Sequence, residues 1–204
     1  VQHRLARQRW GGWWRPRWWL AVGLLGVTLF LTDGRAIADA NVYIVATNGN
    51  DNNPGTLELP LRTIQKAITK AAAGERIYVR GGAYTEAIRI DKAGTLENPF
   101  VVAAYPGEQP VLDGEYRLPA PPRTGWVYCN NAVTPPRCYH YGALVAISGD
   151  YVLFEGFEIM RSAGRGIVIS RTGGRPNTVW VRNNKIHDIR DAGTLVYYAD
   201  NVTF

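Results

Sequence analysis

The side chains with the most chemistry to offer lie close together near the end of the chain: Trp180, Arg182, Lys185, His187, Asp188 and Asp191. Trp180 and Arg182 alternate with Val179 and Val181, so on a strand they share the face opposite the two valines. An outward tryptophan offers a flat surface to a sugar ring, and an arginine can fork a carboxylate through two parallel hydrogen bonds. Together they suit a uronic acid, and an ordinary solvated face would use the same residue types. Lys185 follows just past a bend and, with Arg182, is a candidate catalytic cation. Asp188 and Asp191, beside His187, are of the right types to ligate a metal; a polar loop is the competing reading.

These residues sit in a repeat. Tyr151 to Ile159 aligns with Thr178 to Ile186 at an offset of 27 residues, and a further copy begins with Val202 and Phe204. Apolar residues alternate in each copy, then comes Gly156 or Asn183, then Ile159 or Ile186. Glycine and asparagine reach positive φ at least cost, so a sharp bend is expected at both, with Asn183 and Asn184 stacked and bonded to each other there rather than acting as ligands. A second β-rich run, Gly166 to Ile169 and Leu195 to Tyr198, separates the copies. Strand, bend, strand and loop recurring at roughly 20–30 residues is the signature of a stacked solenoid. The fold class that follows is an all-β parallel β-helix. Whether Ile167 to Ile169 pairs with Thr194 to Val196 or with Leu195 to Tyr197 stays open, and a slip of one residue would exchange inward and outward sets.

Residues 1–40 read differently. Arg4, Arg7, Arg9, Arg15 and Arg17 precede an apolar run from Trp18 to Leu31, followed by the small-residue triplets around Ala36 to Ala40. Those are the three parts of a secretory signal peptide. The apolar run is shorter than the ~20 residues of a spanning helix, although Trp13, Trp14, Trp18 and Trp19 would also suit a retained anchor at a membrane interface. Membrane contact is expected through this segment alone, and the protein is expected to be exported. The leader holds six of the 23 basic and two of the 17 acidic residues, so removing it lowers the net charge from +6 to +2. That modest balance gives no support for a nucleic-acid partner and is compatible with an acidic polysaccharide.

Residues 41–204 are long enough for one domain with a real core, and no linker divides them. The chain ends inside a repeat, which reads as the amino-terminal part of a longer β-helix domain. Leu61, Ile64, Ile68 and Ala71 follow helical spacing between Pro60 and Gly74, and this amphipathic helix is expected to cap the first coil. The Asn-rich loop from Thr47 to Gly55 has one carboxylate, Asp51, too few for calcium, and reads as a turn. Tyr116 to Tyr141 interrupts the rhythm as a loop insertion with five prolines. Its Cys129 and Cys138 are expected to close a disulfide in an exported chain.

Several stretches carry a resemblance. Tyr43 to Thr56, Pro60 to Ile68 and Gly74 to Thr85 resemble the opening of secreted bacterial right-handed parallel β-helix proteins, the group that includes the pectate lyase L-like polysaccharide lyases. Ala104 to Gly114 and Arg182 to Ile189 are similar to later segments of that group. The resemblance implies right-handed winding and β-elimination on a uronate polymer assisted by Ca²⁺, with lysine or arginine as base. A cation neutralises the carboxylate next to a barely acidic proton. The aspartate cluster and catalytic lysine of the lyases have no matching motif before Phe204, so the reactive coils are expected downstream. A monomer acting on acidic polysaccharide is implied. The alternative is a non-catalytic surface or carbohydrate-binding β-helix. A glycosidase is a third reading, and it would need paired carboxylates on adjacent coils.

Overall fold

A computed structural model describes residues 42–119, 127–130, 137–140, 142–170, 176–197 and 199–204. The signal segment expected over 1–40 lies outside the described residues. In chain order the coils are β1 (Val42–Val45) with α1 (Ile64–Lys70); β2 (Arg76–Val79), β3 (Gly82–Tyr84) and β4 (Ile88–Ile90); β5 (Phe100–Ala104) and β6 (Pro110–Asp113). A hairpin, β7 (Val127–Asn130) and β8 (Arg137–His140), precedes β9 (Ala143–Ile147). Then come β10 (Val152–Glu155), β11 (Glu158–Met160) and β12 (Arg165–Ile169), followed by β13 (Asn177–Arg182), β14 (Lys185–His187), β15 (Thr194–Val196) and β16 (Asp200–Thr203).

Three parallel sheets result. Sheet A runs β1-β2-β5-β10-β13-β16, sheet B β3-β6-β11-β14 and sheet C β4-β9-β12-β15. The 27-residue offset appears directly as register, with Val152 opposite Val179 and Ile159 opposite Ile186. Val202 stands opposite Val179 as the repeat requires. The open register in sheet C resolves to Ile167 opposite Thr194 and Ile169 opposite Val196.

In-register stacking makes the core a set of ladders. Ile77, Val102, Phe154 and Val181 form one rung column of sheet A. Tyr84, Leu112, Ile159 and Ile186 form that of sheet B. Ile90, Ile147 and Ile169 form one in sheet C. All of these except the half-buried Ile186 are within 4% of complete burial. Each fully buried large side chain contributes roughly 1.5–3 kcal/mol, and Phe154 stacks on Phe157 with ring centroids 4.5 Å apart.

The bends fall where the glycine and asparagine are. Gly156 has φ +85 and Asn183 φ +52. Asn183 and Asn184 bond to the coil before them rather than to each other: Asn184 Oδ1 accepts from Phe157 N at 2.9 Å while its Nδ2 donates to the Phe154 carbonyl, and Asn183 Nδ2 donates to Glu155 Oε1 at 2.7 Å.

The capping helix is present but short. It begins at Ile64 because Leu61 is held extended against β1, exchanging backbone bonds with Ile44 and Ala46. Thr63 is the N-cap, accepting from Lys66 N. Leu61, Ile64 and Ile68 are fully buried, and the helix packs on β1, β2 and β4. Asp51 explains itself here: its carboxylate accepts from the N–H groups of Arg62 and Thr63 and from the Thr63 hydroxyl. Burial opposes the charged form, but those bonds outweigh it and hold the Asp51 carboxyl below its usual range. Glu86 reaches over from the next coil to accept from Ile64 N and Gln65 N, and burial pushes its carboxyl up. Among the described residues no helix is long and apolar enough to cross a membrane.

Candidate functional site

Strand parity decides what sheet B shows to solvent. Ile159 and Ile186 point inward, so Glu158 and Lys185 share one outward rung and Met160 and His187 share the next, with Asp113 at the same register but buried. Glu158 Oε1 accepts from Lys185 Nζ at 2.9 Å and lies 2.8 Å from His187 Nε2. The other imidazole nitrogen, His187 Nδ1, lies 2.8 Å from Asp188 Oδ2. The bonds from Lys185 and then His187 hold the Glu158 carboxyl below its ordinary range. Glu158 first and Asp188 second raise His187 above its ordinary value. Lys185 therefore spends its amine on Glu158.

The corner beyond sheet B continues the polar network. Arg161 and Asp188 follow partnered strand ends, and both have positive φ. Arg161 closes a two-point ion pair on the buried carboxylate of Asp113, with Nε to Oδ1 at 2.8 Å. Asp191 accepts from Arg165 Nε at 2.9 Å, and the Arg165 guanidinium lies 5.9 Å from the ring of Tyr197. Arg190 lies 5.1 Å from the ring of Tyr116.

The expected site residues are thus divided. Trp180 and Arg182 face outward on sheet A with the guanidinium 5.9 Å from the indole, while Lys185 lies beyond the Asn183–Asn184 bend on sheet B. Asp188 and Asp191 are not brought together; each faces a different basic side chain. Among the described residues no three of His, Cys, Asp and Glu form a group that could hold a metal ion. The described residues therefore offer no carboxylate cluster of the kind calcium takes. Cys129 and Cys138 stand directly opposite each other in the antiparallel hairpin, and their side chains lie outside the described residues.

Glu158, Asp113, Arg161, Arg165, Tyr116 and Arg190 did not stand out in the sequence. Glu158 was legible in principle, because the 27-residue alignment sets it against Lys185 and so pairs opposite charges on one outward rung. Asp113 and Arg161 are 48 residues apart across the insertion, and nothing local signals their pairing.

Comparison with known proteins gives a family model, "Pel9A-like, right handed beta helix region", that matches residues 43–202. Pectate lyase PEL9 of Emericella nidulans is 45% identical over 89 residues, covering 43% of this chain and 21% of that protein. Pectate lyase L of Paenibacillus polymyxa is 30% identical over 172 residues, covering 82% of this chain and 32% of that protein. The crystal structure of pectate lyase Pel9A superposes with a TM-score of 0.54 at 25% identity, covering 75% of this chain and 35% of that one. The chain spans about a fifth to a third of the length of these two curated relatives.

Proposed function

Because this chain belongs to the Pel9A-like right-handed β-helix family, with the match running almost the whole length of its stacked coils, we propose that it is part of an exported polysaccharide lyase acting on a uronate-containing polymer. The observation that carries the reading is the 45% identity to a pectate lyase over 89 residues. The reaction is β-elimination, in which a base takes the proton from the carbon bearing the carboxylate, a double bond forms to the adjacent ring carbon as its bond to the glycosidic oxygen breaks, and that oxygen leaves and takes up a proton. Calcium would lower the barrier by neutralising that carboxylate. The described coils lack a carboxylate cluster, so the calcium and the base are assigned outside the described coils. The visible coils bind polymer: Trp180 offers a ring face and Arg182, exposed and beside it, forks a carboxylate. Residues 1–40 direct export and the hairpin cysteines form a disulfide.

The test follows ultraviolet absorbance from a new uronate double bond, using the full-length protein on pectate, alginate and glycosaminoglycans, with calcium and then with chelator. A calcium-dependent rise on one polymer is expected. No rise on any of them from folded protein would replace the lyase with a non-catalytic carbohydrate-binding β-helix.

A further inference from the structure

Tyr116 stands at the corner between sheets B and C in a backbone that nothing in its own side chain favours. Glu115 has φ +49 and Tyr116 φ +56, two successive non-glycine residues in the left-handed region. Such conformations persist only where the surroundings impose them, and they concentrate where a side chain must be aimed. The surroundings here are explicit. The buried Asp113 carboxylate accepts from Glu115 N at 2.9 Å and from Arg161 Nε at 2.8 Å. Tyr116 N donates to the Arg161 carbonyl at 2.6 Å, and Arg117 N and Leu118 N both donate to the Gly114 carbonyl. Tyr116 so presented is 40% exposed.

Arg190 comes to it from two coils further along. Its backbone N–H donates to the Ser162 carbonyl at 3.2 Å, and its guanidinium lies 5.1 Å from the centre of the Tyr116 ring. Arg80, Arg117, Arg161 and Arg165 each pair with a carboxylate. Arg190 is exposed, and among the described residues it has no carboxylate partner. A cation held on an aromatic ring with its hydrogen-bonding edge uncommitted is set to receive an anion.

We propose that Tyr116 and Arg190 form a sugar subsite, distinct from the Trp180–Arg182 pair, that recognises the carboxylate of a uronic acid residue. The C–H face of the sugar rests on Tyr116, and the carboxylate takes the forked donors of Arg190. Asp113 and Arg161 are positioning residues that hold the Tyr116 turn. The proposal rests on the acidic-polysaccharide reading above.

The test is calorimetric titration of the full-length protein, in chelator to stop turnover, with an oligogalacturonate and with its methyl ester. Arg190→Gln is expected to weaken the oligogalacturonate about tenfold or more, as for loss of a charge-assisted hydrogen bond, and to weaken the ester much less. Tyr116→Ala is expected to weaken both ligands, with folding checked by circular dichroism. If wild type binds the oligogalacturonate and Arg190→Gln binds it equally well, the subsite is wrong while the substrate class stands. If Arg190→Gln weakens acid and ester alike, carboxylate recognition is wrong. If wild type binds no uronate oligomer in chelator and cleaves none when calcium is restored, the substrate class fails and takes the subsite with it; if it binds none in chelator yet cleaves with calcium, the subsite alone is wrong.

Discussion

His187 has a carboxylate within hydrogen-bond distance of each ring nitrogen, Glu158 on the preceding coil and Asp188 beside it. Both favour the imidazolium, so its pKa lies above the ordinary value of about 6.5. For a raised pKa, the contribution to stability is complete below that ordinary value and is lost as pH rises through the folded one. Glu158 is shifted down, so its contribution is complete above about 4.3 and is lost as pH falls through its lowered value. The link between β11 and β14 is thus fully made only in the window between those two ordinary values. In an NMR titration the His187 midpoint is expected above 6.5, and Glu158→Gln should bring it down; a midpoint unmoved by that substitution would show that the pair is not formed in solution. The same geometry explains why His187 was ambiguous in the sequence. A His-Asp pair suggests a metal site, and only the fold shows that a glutamate 29 residues earlier occupies the other nitrogen.

At the scale of elements, the bends and the cap carry most of the specificity. Asn184 uses both ends of its amide on the backbone of the coil before it, accepting from Phe157 N and donating to the Phe154 carbonyl. Asn184→Ala takes the acceptor from the partly buried Phe157 N–H and a donor from the Phe154 carbonyl, and a loss of about 1–3 kcal/mol is expected in denaturant unfolding. Asn183→Gly keeps the positive φ and should cost much less. The helix gives a different outcome. Ile64 is fully buried against the first coil, so Ile64→Asp places an unpaired carboxylate in the core and uncovers the end of the stack. Light scattering should report aggregation of this variant at concentrations where wild type stays dispersed. These elements were legible in the sequence because their signals are local: Gly156 and Asn183 mark bends, and Leu61, Ile64 and Ile68 mark an apolar stripe. The helix boundary was not, because Leu61 is claimed by backbone pairing with Ile44, a contact 17 residues away that helical spacing cannot see. The Tyr116–Arg190 and Asp113–Arg161 pairings were hidden for the same reason, since each joins different coils across an irregular insertion.

Across the whole molecule, stacking in register converts a short periodic pattern into a continuous core, which is why the fold could be read when the site could not. A ladder needs only that equivalent positions be apolar, and Leu112, Ile159 and Ile186 meet that condition visibly. Polar function needs particular atoms a few ångströms apart on different coils, and the repeat does not encode those separations. The architecture also sets how damage spreads. Each coil rests chiefly on the coils above and below it, so stability is close to a sum of nearest-neighbour terms. Ile159 is fully buried in β11, between β6 on one side and β14 on the other. Ile159→Ala should therefore cost about 2–5 kcal/mol as a cavity in a close-packed ladder. In hydrogen exchange, protection should fall first in β11 and in its neighbours β6 and β14, while the amides of β2, near the capped end, keep more of theirs. A uniform loss of protection from β2 through β14 would instead mean that the coils unfold as one cooperative unit, and the nearest-neighbour description of this solenoid would have to be abandoned.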